Sequence, residues 1–245
     1  MIDIKEKDFK SCLSVTFAEN GLSSLLSEER ANAFYRLTVR MLEENEKYNL
    51  TAIVEPEKII LNHYADCAML ASRLKKGATV IDVGCGAGFP TLPLAIVRPD
   101  LTITAMDSTE KRVNYVKESA AILGLSGVRC VVMRAEDAGR LPEYREMFDY
   151  ATARAVAEMR VLSELCLPLV KVGGRMVAMK GRNAEYELSS AKKAIAILGG
   201  RDVTLEEITL KGADAASHPL ITVTKKERTP DKYPRVYSQI SKKPL

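Results

Sequence analysis

The sequence predicts an α/β fold with a mostly parallel, seven-stranded sheet and helices on both faces. From Thr79 onward, short runs rich in Val and Ile alternate with segments of helical periodicity, and repeated units of this kind are typical of a parallel, doubly wound sheet. The clearest run, 80–83, leads into glycines at three alternate positions, Gly84, Gly86 and Gly88. A buried strand followed by a tight turn and a helix explains that pattern.

The remaining elements follow from the same periodicities. Predicted strands cover 80–83, 101–106, 128–133, 148–153, 175–179, 203–210 and 220–224, and predicted core helices cover 111–123, 156–167 and 184–198. Residues before about 75 are expected to be helical. Ser27 is a plausible N-cap because Glu28 and Glu29 follow it. Pro56 lies near the first position of a second helix that is expected to reach Leu74.

The chain of 245 residues is long enough for one substantial core. We predict a helical extension over 1–75 packed on a core over 76–225, and a basic C-terminal tail over 226–245. From Lys225 to the end, seven basic side chains face two acidic ones, a net +5 in a chain whose total is +4. Charge concentrated in one segment favours a nucleic-acid contact, and a solvated tail is the alternative.

Composition also bears on location and partners. The N-terminal residues are charged, and no apolar run approaches the ~20 residues needed to span a bilayer. Five cysteines are scattered without a C-x-x-C pair, which favours reduced thiols over disulfides or a metal site. We therefore expect a cytoplasmic protein with no membrane contact and no bound metal. Nothing on the helical faces requires a dimer, so a monomer is expected.

The spacing of the glycine turn indicates its ligand. A dinucleotide fingerprint requires G-x-G-x-x-G/A, and here Phe89 occupies the third glycine position. No Gly-Lys-Ser/Thr follows, which excludes a nucleotide triphosphatase loop. The pattern from Asp82 to Gly88, D-x-G-x-G-x-G, is similar to the one after the first strand of class I S-adenosylmethionine-dependent methyltransferases, which have a Rossmann-like fold. A nicotinamide or flavin oxidoreductase is the rival on the same fold.

Polar side chains follow three more of the predicted strands, at the edge where an open α/β sheet binds its ligands. Asp107 is placed to accept the ribose hydroxyls, although it is also placed to cap the next helix. Glu136 and Asp137 lie near the expected adenine position, with ordinary loop acids as the alternative. Arg154 faces the same crevice, and a structural ion pair is the competing interpretation.

Other candidates for chemistry are few. His63 is a candidate base only by residue type, since a lone histidine on a helix is more often a packing or hydrogen-bonding residue. His218, beside Pro219, is interpreted as a loop residue. No Ser/His/Asp order or metal-binding cluster is present, and the tetrad that exocyclic-amine methyltransferases use is missing. The Pro-Cys pair that the covalent mechanism of a cytosine-C5 enzyme prefers after the fourth strand is also missing. The target is therefore expected to be an atom that needs neither device.

Many short stretches together match one known family. The chain resembles the bacterial 16S ribosomal RNA guanine-N7 methyltransferase G family from about Tyr48 to its end. The matching stretches are Tyr48-Asn49-Leu50-Thr51-Ala52, His63 with Asp66, 82–90, Asp107-Ser108, Lys111-Arg112, Arg134-Ala135-Glu136, Ala153-Arg154-Ala155, Lys180-Gly181, 229–235 and 242–245. One departure is at 236–240, which replaces a more basic run of the family.

The resemblance implies a substrate and a set of site residues. The family methylates a guanosine near the decoding site of the small ribosomal subunit. The expected cofactor is S-adenosylmethionine, which the resemblance places on Gly84, Phe89, Ala135, Glu136 and Arg154. The glycine turn and the end of the second strand add Gly86, Gly88 and Asp107. Candidate positioning residues at the reaction centre are Arg154, His63 and Lys180. Expected RNA contacts are Lys111, Arg112, Arg182, Arg228, Lys232 and Arg235. Alternatives are a methyltransferase of another RNA site or of a protein, or a non-enzymatic ribosome-binding factor.

Overall fold

The computed structural model describes residues 4–212 and 218–245. Within these residues the helices are α1 (Glu6–Glu19), α2 (Glu28–Tyr48), α3 (Pro56–Ile59), α4 (Asp66–Ala68), α5 (Thr91–Val97), α6 (Glu110–Ile122), α7 (Ala135–Ala138), α8 (Met159–Cys166), α9 (Ala184–Ile197) and α10 (Tyr237–Lys242). The strands are β1 (Thr79–Val83), β2 (Thr102–Asp107), β3 (Val128–Val132), β4 (Phe148–Arg154), β5 (Val170–Met179), β6 (Gly200–Glu206) and β7 (Leu220–Lys225).

The seven strands of the described residues form one sheet in the order β3-β2-β1-β4-β5-β7-β6. Strands β1 to β5 are parallel, and β7 runs antiparallel to both β5 and β6. The prediction of a mostly parallel seven-stranded sheet is confirmed. The order reverses between β1 and β4, where Val80 lies opposite Tyr150. A crevice at the carboxyl ends of these two strands is the usual ligand site of such a sheet.

Alternate residues of β1 enter two separate cores, as the two-residue period of a strand requires. Val80 is buried with residues of α1, α2, α5 and α6. Its neighbour Ile81 is buried with residues of α8 and α9. Helices therefore cover both faces of the sheet, as predicted. No helix in the described ranges is both long and apolar enough to cross a bilayer.

The helical N-terminal region is largely as predicted, with one correction. Ser27 caps α2, because its side chain accepts the N–H of Arg30 at 3.3 Å. The second helix, expected to run unbroken to Leu74, instead passes from α3 through a π-helical stretch, Ile60–Ala65, into α4 and a final 3₁₀ turn, Ala71–Arg73. In the π-helical stretch the carbonyl of Asn62 accepts a hydrogen bond from the Arg154 side chain. A single sequence does not reveal such a distant partner.

Several strand boundaries also differ from the prediction. Strand β5 begins five residues earlier than expected and includes Gly173 and Gly174. A Cβ at Gly174 would lie 2.6 Å from the carbonyl oxygen of Asp149, so the glycine permits a close approach of β4 near a register shift. Strand β6 covers Gly200–Glu206 rather than 203–210. Helix α8 begins only at Met159 because Ala155, with φ of 56°, turns the chain after β4.

The C-terminal segment, 226–245, folds back onto the body of the protein. Arg235 forms an ion pair with Glu164 of α8 at 2.7 Å. Arg160, also on α8, donates to the carbonyls of Pro244 and Leu245 at 2.7 and 2.9 Å. Ile240 is fully buried. Part of the positive charge counted in the tail is therefore neutralised within the fold.

Candidate active site

A cleft of about 250 Å³ opens at the carboxyl ends of the strands, beside the point where the strand order reverses. It is lined by the turn after β1, the ends of β2 and β3, the start of α7, the loop after β4, and side chains of α8 and α10. Four of the predicted cofactor residues line it: Gly84, Asp107, Ala135 and Glu136. Among the described residues, Gly86, Gly88, Phe89 and Arg154 lie outside this lining.

Two of the three glycines in the turn, Gly84 and Gly88, leave no room for a larger side chain without movement of a neighbour. Gly84 has a φ of +73°, and a Cβ there would lie 2.7 Å from Cγ2 of Val156. Gly88 has a φ of +86°, and its Cβ would meet Cδ1 of Leu92 at 2.6 Å. Since positive φ is strained for other residues, both steric and conformational reasons require glycine. Gly84 also lines the cleft, so its backbone forms part of the cleft wall.

Asp107 lines the cleft and bonds to the residue that precedes α6. Its Oδ1 accepts the N–H of Thr109, the residue before the first turn of α6, at 2.8 Å. Its Oδ2 accepts the N–H of Gly86 at 3.1 Å, and Nη1 of Arg112 lies 3.8 Å away. Because a carboxylate oxygen accepts more than one hydrogen bond, this geometry fixes the glycine turn to the end of β2 and leaves acceptor capacity for a ligand.

Glu136 provides a second carboxylate to the cleft. It is the second residue of α7 and is 5% exposed. Burial raises the pKa of Glu136 above its usual value. Nη1 of Arg134 lies 4.0 Å from Oε1 of Glu136. Asp137, its sequence neighbour, is exposed, so only one of these two acids lies in the cleft.

Arg154 points away from the cleft, toward the helical N-terminal region. Its Nη1 donates to the carbonyl of Asn62 at 2.9 Å and to Oδ2 of Asp66 at 2.8 Å. Its Nη2 lies 2.6 Å from Nδ1 of His63. The guanidinium carbon lies 5.5 Å from the centre of the Phe89 ring. The structural ion pair weighed from the sequence is thus present, and its partner is Asp66.

His63 is buried beside this guanidinium. Its ring stacks on Phe89 with centroids 4.4 Å apart. Burial, together with the charge of Arg154, lowers the pKa of His63 to about 3. Because an arginine only donates, Nδ1 accepts from Arg154, and the proton lies on Nε2, 3.0 Å from Oγ1 of Thr51. The imidazole is neutral, and both ring nitrogens are already hydrogen-bonded.

The third positioning candidate, Lys180, supports the wall of the cleft from behind. Its Nζ lies 2.6 Å from Oε2 of Glu187 and donates to the carbonyl of Ala157 at 2.8 Å. The side chain is 9% exposed. Ala157 itself lines the cleft, so Lys180 fixes a wall residue and does not present its ammonium to the cavity.

The predicted RNA contacts fall into two groups. Lys111, Arg112, Arg182 and Lys232 are exposed, and Arg112 also lines the cleft. The other two form ion pairs: Arg228, which is also exposed, with Glu146, and Arg235, which is partly buried, with Glu164.

Several residues of the site were not predicted as site residues, although Asp66 and Arg134 belong to the stretches that match the family. Arg134, Val156 and Tyr237 line the cleft, and Asp66 holds Arg154. Arg134 and Val156 each lie within two residues of a predicted site residue, so proximity was an available signal. Tyr237 is far along the chain, and no local pattern indicates its position.

Comparisons with known proteins agree with this geometry. The family model described as rRNA small subunit methyltransferase G matches residues 29–215. The chain belongs to this family. It is 45% identical over 238 residues to ribosomal RNA small subunit methyltransferase G of Clostridium perfringens, covering 96% of each chain. It is 46% identical over 224 residues to the protein of the same name from Leuconostoc mesenteroides, covering 90% of this chain and 93% of the relative.

Solved structures show the fold. A SAM-dependent O-methyltransferase from Thermotoga maritima matches with a TM-score of 0.55 and 19% identity, over 78% of this chain and 72% of the other. A SAM-dependent methyltransferase from Aquifex aeolicus matches with a TM-score of 0.51 and 20% identity, over 69% of this chain and 94% of the other. The class I methyltransferase fold predicted from the glycine turn is confirmed.

Proposed function

We propose that this chain transfers a methyl group from S-adenosylmethionine to N7 of a guanosine in 16S ribosomal RNA. The observation that carries the proposal is the cleft at the reversal of strand order in a chain that belongs to the rRNA small subunit methyltransferase G family. The cleft supplies a methyl-donor site, and the family supplies the class of substrate. The choice of N7 rests on the sequence resemblance.

The residues of the cleft fit this donor. Gly84 lines the cleft, so its backbone groups are available to the methionyl part. Asp107 provides a carboxylate at the end of β2, where ribose hydroxyls are bound in related folds. Glu136 provides a buried acceptor at the start of α7 for the adenine amino group. The methionyl, ribose and adenine parts of the donor are thus matched by Gly84, Asp107 and Glu136 respectively, which all line one cleft.

The proposed reaction requires no general base. When bound, the donor offers an electrophilic methyl on sulfur, and the N7 lone pair forms the new N–C bond as the S–C electron pair returns to sulfur. No proton leaves the base. This agrees with the state of His63, which is neutral and hydrogen-bonded at both ring nitrogens. The contribution of the protein is to hold the two reactants in line and exclude water.

Arg154, His63 and Lys180 act in this proposal as positioning residues. Arg154 ends β4, and the loop that follows it, residues 155–157, lines the cleft. By binding Asp66 and His63, Arg154 fixes the start of that loop to the helical N-terminal region. Lys180 fixes the loop's other end at Ala157. The wall of the cleft is thereby held from both sides.

The exposed basic side chains near the cleft provide the RNA surface. Lys111 and Arg112 lie on α6 beside Asp107, and Arg182 follows β5. Phosphate contacts from such side chains orient an RNA without reading its sequence. With ribosomal RNA as the substrate, we place the protein in the cytoplasm and expect it to act as a monomer, which size-exclusion chromatography with light scattering would test.

The deciding experiment is methylation of unmodified small ribosomal subunits with labelled S-adenosylmethionine, followed by reductive cleavage of the RNA at N7-methylguanosine. We expect label in 16S RNA and one new cleavage site. Label on another base or on a protein would contradict the assignment of N7. Calorimetry with S-adenosylhomocysteine separates the remaining rivals, because a ribosome-binding factor would give no heat and an oxidoreductase would respond to NAD instead.

A further inference from the structure

Tyr237 is an aromatic residue of the cleft that comes from outside the sheet and its crossover helices. It is the first residue of α10 in the C-terminal segment, and its side chain lines the cleft. The guanidinium carbon of Arg134 lies 5.5 Å from the centre of its ring. Arg134 immediately precedes Ala135 and Glu136. The ring therefore lies at the end of the cleft that also holds Glu136.

The segment that carries Tyr237 is anchored on both sides of it. Before it, Arg235 binds Glu164, a fully buried carboxylate, through two side-chain nitrogens at 2.9 and 2.7 Å, and its backbone N–H adds a bond of 2.8 Å. After it, Ile240 is fully buried. Tyr237 itself is 42% exposed. A rigid segment thus presents a partly uncovered aromatic ring to a ligand cleft.

The surroundings of this ring suit a planar base. Apolar side chains of Met133 and Leu165 line the cleft together with Tyr237. Glu136 supplies an acceptor for an exocyclic amine. Purine faces are apolar and polarisable while their edges are polar, so an aromatic wall with one carboxylate at its rim matches both features. The cation held at 5.5 Å also restricts the orientation of the ring.

We propose that Tyr237 forms the outer wall of the adenine pocket, so that the C-terminal segment completes the cofactor site. The inference rests on the proposed function, since it takes S-adenosylmethionine as the ligand of this cleft. It assigns to α10 a contact with the cofactor, whereas the composition of the segment indicated a contact with RNA or a solvated tail.

The test is isothermal titration of S-adenosylhomocysteine and of adenosine into the full chain and its variants. We expect Tyr237→Ala to weaken both ligands by about tenfold or more, the usual effect of removing an aromatic ring from a base. Tyr237→Phe is expected to keep wild-type affinity because it retains the ring. The matched control is Tyr186→Ala on α9, a tyrosine that is 78% exposed and outside the cleft lining. It is expected to change neither affinity.

Other results would overturn the inference. Unchanged affinity for both ligands in Tyr237→Ala, with a raised KM for ribosomal subunits, would assign the ring to the RNA surface. A weaker affinity for S-adenosylhomocysteine with an unchanged affinity for adenosine would place the ring at the homocysteine end of the ligand. If Tyr237→Ala fails to fold, Tyr237→Leu keeps apolar bulk without a ring and is expected to weaken both ligands. Absence of binding in the wild-type protein would instead remove the proposed function itself.

Discussion

Oδ2 of Asp66 accepts a hydrogen bond from Nη1 of Arg154 at 2.8 Å. The bond joins the helical N-terminal region to the end of β4, across 88 positions of sequence. Asp66 is 4% exposed, and its second oxygen lies 3.2 Å from Nδ1 of His218. One buried carboxylate therefore contacts both Arg154, at the end of β4, and His218, in the segment that leads into β7.

We expect Asp66→Asn to lower kcat by about tenfold, because a charge-assisted hydrogen bond that orients Arg154 becomes a weaker neutral one. The affinity for S-adenosylhomocysteine is expected to fall less than kcat does, since Asp66 lies outside the cleft lining. Steady-state kinetics and calorimetry measure the two effects. The control is Asp8→Asn, an exposed acid on α1. An Asp66→Asn enzyme with wild-type kcat would show that the ion pair serves stability alone.

The pH dependence of cofactor binding is expected to follow Glu136. Burial raises its pKa above the ordinary 4.5, and only the ionised carboxylate is a pure acceptor. Affinity for S-adenosylhomocysteine is therefore expected to be full above the raised pKa and to decline as the pH falls through it. Glu136→Gln is expected to bind more weakly at neutral pH and to lose this decline. Calorimetry at a series of pH values between about 4.5 and about 7.5 measures the affinity of wild type and variant across this decline. A wild-type curve that parallels the variant would remove Glu136 from the adenine site.

The basic residues proposed for RNA are expected to separate into two classes. Arg182→Ala, which removes an exposed charge, is expected to reduce the salt slope of RNA binding by about 0.7 to 0.9 and to leave thermal stability unchanged. Arg235→Gln leaves the fully buried Glu164 without its ion-pair partner and is expected to destabilise the fold by about 3 to 5 kcal/mol. Filter binding at several salt concentrations and denaturant unfolding measure these effects. Equal loss of RNA affinity without destabilisation in both variants would contradict the division.

Asp82 is expected to make the fold less stable as the pH rises. Its Oδ2 accepts from Oγ1 of Thr91 at 2.6 Å, and Oδ1 has no hydrogen-bond partner among the described residues. Burial raises the pKa of Asp82 from 3.8 to about 6. Between these values the unfolded chain has already lost the proton that the folded chain keeps. The contribution of Asp82 to stability is therefore largest below pH ~4 and declines by up to about 1.4 kcal/mol per pH unit toward pH ~6.

The difference between wild type and Asp82→Asn isolates this effect, because every other group titrates in both proteins. Denaturant unfolding at a series of pH values is expected to show the variant gaining stability relative to wild type as the pH rises from ~4 to ~6. A difference that is constant over this range would indicate an ordinary pKa for Asp82.

Local features of the chain were sufficient to predict the sheet and the centre of the cleft. The alternation of apolar strands and helices in 79–225 depends on side-chain period, which is set by neighbours a few positions away. The glycines after β1 are required by backbone conformation, which is also local. The position of Asp107 follows from both, since the end of a parallel strand meets the end of its neighbour. These inferences required no knowledge of distant contacts.

The sequence by itself therefore determined the fold class, the glycine turn and the carboxylates at the strand ends. Only the tertiary structure decided what Arg154, His63 and Lys180 contact, and that Tyr237 reaches the cleft. The physical reason is that hydrogen bonds, ion pairs and burial depend on partners that are remote in sequence, such as Asp66 for Arg154 and Arg134 for Tyr237. The identity of a charged residue does not show whether it binds a ligand or neutralises a buried partner. The tertiary packing around that residue determines which of the two occurs.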